Sequence, residues 1–177
     1  MYIWIGCAVP EAFAAPLRSF CQAHNRDLGL NTAAFALPQH ISLKISFETR
    51  EPELVLALLE ENLSREQRFV AEFTEIQRMG SVLWLSVGEN PHLQRLHQQL
   101  DTLLRDRFGI PLHRFDLDFQ FHSTLFIDSD EMKLEEMRHR IENYPIATPM
   151  TIDTCLLGTS PDGSPGSYQV VRKFNFL

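Results

Sequence analysis

A six-residue pattern occurs twice, once in each half of the chain, and it constrains the fold more than any other feature. His40-Ile41-Ser42-Leu43-Lys44-Ile45 is matched by His122-Ser123-Thr124-Leu125-Phe126-Ile127, so that both copies read His-x-hydroxyl-Leu-x-Ile. Each copy sits in a run with strand-like alternation. Side chains on a strand alternate between faces, so a residue and its i+2 neighbour point the same way. Each histidine therefore shares a face with its hydroxyl, His40 with Ser42 and His122 with Thr124. Ile41, Leu43 and Ile45 in one copy, and Phe121, Leu125 and Ile127 in the other, fall on the opposite face as core. The spacing alone carries little weight. With 7 histidines and roughly one residue in nine bearing a hydroxyl, about one such pair arises by chance. The shared Leu and Ile, the strand context and the occurrence once per half raise it well above that.

The elements around the two copies repeat as well. Residues 2–8 read as a strand, 10–28 as a helix delayed or kinked by Pro16, 41–47 as the first motif strand and 52–63 as a helix opened by Pro52. A strand pair at 69–76 and 81–87 follows, turning at Gly80. The clearest helix comes next: Asn90 caps it, Pro91 starts it, Leu93, Leu96, Leu100, Leu103 and Leu104 form its stripe, and Gly109 ends it. Residues 119–127 form the second motif strand. Asp128 or Ser129 then caps a helix with Leu134, Met137 and Ile141 on one face. Strands at 150–157 and 168–176 close the chain, joined by a loop rich in Gly, Ser and Pro that is expected to be mobile. The order β-α-β-α-β-β-α-β-α-β-β is that of an internal duplication. It predicts an α+β fold, a single domain over 1–177 with two pseudo-symmetric lobes. Each lobe has a mainly antiparallel sheet with helices on its outer face, and the motif strands face a cleft between them.

Charge and cysteine content narrow the partners. The net charge of −7 leaves no broad basic face for a long nucleic acid, which is held mainly by Lys and Arg neutralising phosphates. A small nucleotide or the phosphoester at an RNA end is the expected partner. The apolar stretches are short and broken by charges, so no membrane span is expected. Met1-Tyr2-Ile3-Trp4-Ile5 reads as a first core strand and not as a leader, which points to the cytoplasm. Cys7, Cys21 and Cys155 lack metal-like spacing and read as buried free thiols. The expected state is a monomer.

Two imidazoles and two hydroxyls facing one cleft are suited to acid-base chemistry on a phosphate ester. One histidine takes a proton from the attacking water while the other supplies one to the leaving oxygen. Ser42 and Thr124 can donate to the non-bridging oxygens, where charge develops. No metal or other cofactor is required. By alternation Lys44 shares the face of His40 and Ser42 and can add a positive charge to the phosphate site; by the same rule Phe126 flanks Thr124 and can stack on a base.

These motifs resemble those of the two-histidine phosphoesterase superfamily, which includes RNA 2′,3′-cyclic phosphodiesterases and 2′-5′ RNA ligases and whose signature is a pair of His-x-Thr/Ser strands. The resemblance implies hydrolysis of a cyclic or 2′,5′-linked phosphodiester, with His40 as general acid and His122 as general base. The stretch Gly166-Ser167-Tyr168-Gln169-Val170-Val171-Arg172 is similar to the last strand of the bacterial cyclic phosphodiesterases, which makes Tyr168 a substrate-binding candidate. The chain departs from the family pattern in having Ser at position 42, in lacking a basic residue in the loop before Tyr168, and in following the second motif with Phe126 and Asp128. Two alternatives stand beside this reading. One is a metal-dependent hydrolase using His40, His122, Asp116 and Asp118. The other is a non-catalytic module that holds a nucleotide or phosphate in the same cleft.

Overall fold

The computed structural model describes residues 1–177. Its elements are β1 (Tyr2–Ala8), α1 (Glu11–His24), a 3₁₀ turn (Ala33–Ala36), β2 (His40–Ser42), β3 (Phe47–Glu48), α2 (Pro52–Leu63), β4 (Phe69–Ala71), β5 (Phe73–Met79), β6 (Val82–Val87), α3 (Pro91–Phe108), β7 (His122–Ile127), α4 (Glu131–Ile141), β8 (Met150–Ile152), β9 (Thr154–Ser160) and β10 (Gln169–Asn175). The sheets are antiparallel throughout and divide into two lobes. One sheet runs β10-β9-β1-β2 with β3 also on β1; the other runs β5-β6-β7; a short β4-β8 pair is separate. Helix α4 packs on β5 and β6 with α1 beside it, and α2 packs on β10 with α3 beside it.

The two halves exchange their strand pairs. The hairpin β5–β6, from the first half, is completed by β7, the motif strand of the second half. The hairpin β9–β10, from the second half, is completed by β1, which in turn carries the first motif strand β2. A chain whose apolar residues alternate along short strands leaves sheet edges open within each half, and pairing between the halves closes them. The buried apolar residues accordingly form one cluster of 36 that draws on both lobes.

Local signals explain the element ends. Asn90 accepts from the backbone N–H of His92 and Leu93, and Gly109 ends α3 at φ 64°, a left-handed position that suits glycine. Gly80 turns the β5–β6 hairpin at φ 55°. Helix α4 is capped by Asp130, one or two residues later than the expected Asp128 or Ser129; Asp128 instead accepts from Asn31 and Asp130 N–H groups. The expected strand at 41–47 is interrupted: pairing stops at Ser42 and resumes at Phe47. Cys7, Cys21 and Cys155 are buried free thiols. No helix is long and apolar enough to cross a membrane.

Candidate functional site

Strands β2 and β7 meet where the two sheets adjoin. The Ser123 hydroxyl donates to the His40 carbonyl at 2.6 Å, and the Gln39 amide donates to Ser123 Oγ at 2.6 Å and to the Thr124 carbonyl at 2.9 Å. Ser123 is fully buried, so these bonds form a polar seam inside the molecule. The seam fixes the registry of one motif against the other. A cleft of about 300 Å³ opens above it, lined by His40, Ser42, His122 and Thr124 together with Trp4, Lys44, Phe119, Ile127 and Tyr168. That volume lies at the lower end for small-molecule sites.

The two histidines are held alike. His40 Nδ1 lies 2.8 Å from the Pro38 carbonyl and His122 Nδ1 lies 2.6 Å from the Gln120 carbonyl. A carbonyl only accepts, so Nδ1 carries the hydrogen in both rings and Nε2 is left as the exchangeable site. Each ring also rests on a tryptophan from the neighbouring strand. Trp4 of β1 meets His40 edge to face at 4.2 Å, and Trp84 of β6 stacks on His122 at 4.3 Å. The Trp4 ring lies so close over the backbone that a Cβ at Gly6 or Gly158 would come within 2.9 or 2.7 Å of it. Glycine at those two positions lets the indole reach His40.

Burial sets the electrostatics. It pulls the His40 imidazole down to about 4, outweighing the Pro38 carbonyl, which acts the other way, while the charge of His122 adds to the depression. Burial also lowers His122, opposed by the Gln120 carbonyl. The hydroxyls of Ser42 and Thr124 line the cleft and, unlike that of Ser123, are not taken up by the seam. Tyr168 comes from the strand end after the Gly-Ser-Pro loop, and its buried hydroxyl has no protein partner. That loop is braced within itself: Asp162 accepts from Ser164 N–H and Oγ at 2.9 and 2.8 Å, and Gly163 N–H donates to Ser160 Oγ at 2.7 Å.

Two candidates from the motif strands need correction. Phe126 is fully buried and packs edge to face on Phe35 of the 3₁₀ turn, so it is not a cleft residue. The reason is a bulge. Trp84 opposes Thr124 but Leu83 opposes Phe126, so Leu125 is the extra residue and the alternation inverts beyond it. Ile127, assigned to the core by simple alternation, faces the cleft instead. Lys44 borders the cleft, but it lies past the end of β2, is 3 % exposed, and its ammonium is paired with Asp116 at 2.7 Å and with Asp101. Its charge is therefore committed to carboxylates and not offered to a phosphate.

The aromatic that does reach the cleft beside His122 is Phe119, whose ring lies 6.2 Å from that of His122. Sequence reasoning missed it, along with Trp4 and Trp84. The two tryptophans left a usable signal: they are the only 2 in the chain, each in a strand that precedes a motif. The carboxylates of the metal-dependent alternative are not beside the two histidines' free nitrogens. His97, Asp101 and Asp116 bring donor atoms within 4.8 Å of one another, but the Lys44 ammonium already serves both carboxylates, and Asp118 is exposed with its oxygen 3.4 Å from Gln120 Nε2.

Comparison with known proteins finds the same fold elsewhere. The chain superposes on TT0787 of Thermus thermophilus with a TM-score of 0.68 and 20% identity, covering 99% of this chain and 98% of that one. It superposes on E. coli LigT complexed with NADP+ with a TM-score of 0.65 and 18% identity, covering 98% and 96%. A crystal structure described as a phosphoesterase matches with a TM-score of 0.62 and 15% identity, covering 98% and 97%. At these identities the likeness concerns the fold. No curated protein matches in sequence. The family model of the 2′-5′ RNA ligase superfamily matches residues 9–159, and on that match, which spans both His-x-hydroxyl strands, the chain belongs to the 2′-5′ RNA ligase superfamily.

Proposed function

We propose that this chain, as one two-lobed domain, hydrolyses a cyclic or 2′,5′-linked phosphodiester of a small nucleotide or an RNA end, using His40 and His122 as a metal-free acid-base pair. The observation that carries this reading is the paired setting of the two imidazoles, each locked by an Nδ1–H bond to a carbonyl with Nε2 left for proton transfer. One ring accepts a proton from the attacking water while the other gives one to the leaving oxygen, each contributing roughly 10²- to 10⁴-fold in rate. Ser42 and Thr124 donate to the non-bridging oxygens as charge builds there. Tyr168 has an unpartnered hydroxyl to offer the substrate, and Phe119 supplies the aromatic face that the sequence assigned to Phe126.

The depressed basicity of His40 supports one order of the two roles. His40 is the more strongly depressed ring, and it is depressed further by charge on His122. Stacking on the face of Trp84 also favours a cationic His122. On this reading a single shared proton rests on His122, with His122 as the acid and neutral His40 as the base, the reverse of the assignment implied by resemblance. The small cleft suits a nucleotide, as does the capture of NADP+, ATP and 3′-AMP by the structurally similar LigT.

The test is turnover of 2′,3′-cyclic nucleotides, RNA ending in a 2′,3′-cyclic phosphate, and 2′,5′-linked dinucleotides in excess chelator. At least one should be opened by the unmodified protein, and His40→Ala and His122→Ala should each reduce the rate at least a hundredfold without loss of fold. If none is turned over, the proposed activity is refuted; if chelator stops the reaction and zinc restores it, the metal-free mechanism is wrong.

A further inference from the structure

His97 and Lys44 belong to one buried network that touches both motifs, although from sequence alone Lys44 reads as a phosphate ligand. His97 projects from the buried face of α3 and is 6 % exposed. Its Nδ1 lies 2.8 Å from the carbonyl of Leu43, the residue directly after Ser42. Its Nε2 lies 3.0 Å from the carbonyl of Asp116, six residues before His122, and 3.3 Å from the Asp101 carboxylate one turn along α3. Every partner is an acceptor, so each ring nitrogen is placed against a group it can donate to. Asp116 holds the Lys44 ammonium at 2.7 Å and the His113 N–H at 2.8 Å, while Asp101 takes the ammonium from the other side. The Lys44 ammonium is thus paired with two carboxylates in the interior, the arrangement in which buried charge is tolerated. The His97 ring also stacks on Phe119 at 4.6 Å with the planes 19° apart, and Phe119 is the cleft aromatic next to His122.

We propose that Lys44, His97, Asp101 and Asp116 are positioning residues that fix the two motifs relative to each other, with His97 binding the segment that leaves the first and the segment that enters the second. The seam of Gln39 and Ser123 ties the motifs on one side, and this network ties them on the other. Neither His97 nor Asp101 is among the residues lining the cleft, so their effect on the reaction passes through the backbone of Leu43 and residues 113–121. Catalytic side chains misplaced by about 1 Å lose roughly 10²-fold in rate, which is the scale on which such a clamp matters.

His97→Phe keeps a ring over Phe119 and removes both carbonyl contacts. The first measurement is hydrogen exchange of the His122 Nδ1 proton by NMR, which does not depend on any activity. In the folded variant it should exchange at least tenfold faster than in the unmodified protein. The second is turnover of a 2′,3′-cyclic nucleotide, where kcat should fall at least tenfold with KM changed less than threefold, and His97→Gln, which restores one donor, should recover part of the loss. Lys44→Met combined with Asp101→Asn removes one charge of each sign and should give the same pattern. Folded variants with wild-type exchange and kcat but a lowered melting temperature would overturn the proposal, as would failure of both variants to fold, since the network would then determine the fold and not the motif spacing. The kinetic arm rests on the proposed phosphodiesterase activity. If the unmodified protein opens no cyclic phosphate, that activity is refuted while the exchange measurement still decides the positioning role.

Discussion

His40 and His122 sit in nearly equal hydrogen-bonding frames yet differ in how strongly they resist protonation, and that difference has two measurable consequences. The first concerns roles. If His122 is the acid, a substrate whose leaving group needs no proton should bypass it, so His122→Ala should regain most of its lost rate on a p-nitrophenyl nucleoside phosphodiester while His40→Ala stays at least a hundredfold impaired. Recovery by His40→Ala instead would restore the assignment implied by family resemblance. The second concerns stability. The folded His40 binds a proton more weakly than an unfolded histidine, whose pKa is about 6.5, because burial penalises the imidazolium. Below about pH 6.5 the unfolded chain takes up more protons than the folded one, so stability falls as pH falls and the loss levels off near pH 4, where the folded ring also titrates. His40 contributes on the order of 2–3 kcal/mol of this loss at most, and His122 adds in the same direction. Denaturant unfolding at pH 7 and pH 4.5 should show the drop, and His40→Asn should shrink it; an unchanged drop in that variant would place its origin elsewhere.

A single bulge in β7 separates what the motif strands reveal in sequence from what they do not. The first three positions of each copy obey simple alternation, so His40, Ser42, His122 and Thr124 were legible as cleft residues, and the caps of α3 at Asn90, Pro91 and Gly109 were legible from local chemistry alone. Beyond Thr124 the extra residue Leu125 inverts the pattern, and no propensity in Leu-Phe-Ile announces it, because either register buries apolar side chains. Lys44 fails for a related reason. Pairing of β2 ends at Ser42, and the partners that claim the ammonium lie 57 and 72 residues away, beyond the reach of any local pattern. The 3₁₀ turn at Ala33–Ala36 carries no strong capping signal, yet it packs Phe35 on Phe126 and lends Ala33 and Ala34 to the cleft wall. The bulge predicts opposite outcomes for two phenylalanines. Phe126→Ala should cost about 3–5 kcal/mol in unfolding free energy, as for a fully buried aromatic. Phe119→Leu should leave stability within about 1 kcal/mol but raise KM for a nucleotide several-fold, because it narrows the aromatic face on the cleft. If Phe126→Ala raises KM and Phe119→Leu does not, the inverted register is wrong.

On the scale of the whole molecule, the exchange of hairpins predicts that the two lobes unfold as one unit. The order of elements in the sequence reads as an internal duplication, and that reading invites the picture of two halves that fold separately and then dock. Sheet pairing contradicts that picture: without β9 and β10 the first sheet keeps only β1 with the short β2 and β3, and without β5 and β6 the second loses every partner of β7. One long strand with two short partners on the same edge is marginal in water and a lone strand is no sheet at all, so neither lobe is expected to have a stable sheet until both halves of the chain are in place. The polar seam between Gln39, Ser123 and the His40 carbonyl adds to the coupling, since opening the lobes strands buried hydrogen-bonding groups. The two tryptophans make this testable, because Trp4 lies in the first sheet and Trp84 in the second, each nearly buried and each against a histidine. In Trp4→Phe the fluorescence reports only the second lobe, and in Trp84→Phe only the first. Each substitution shifts overall stability a little, so each variant is read against its own far-ultraviolet circular dichroism. The expected outcome is coincidence in both: the fluorescence and dichroism midpoints in urea agree, with a single m-value that accounts for the whole chain. A fluorescence midpoint that precedes the dichroism midpoint in one variant and follows it in the other would mean that the lobes unfold independently, and the exchanged hairpins would then not couple them.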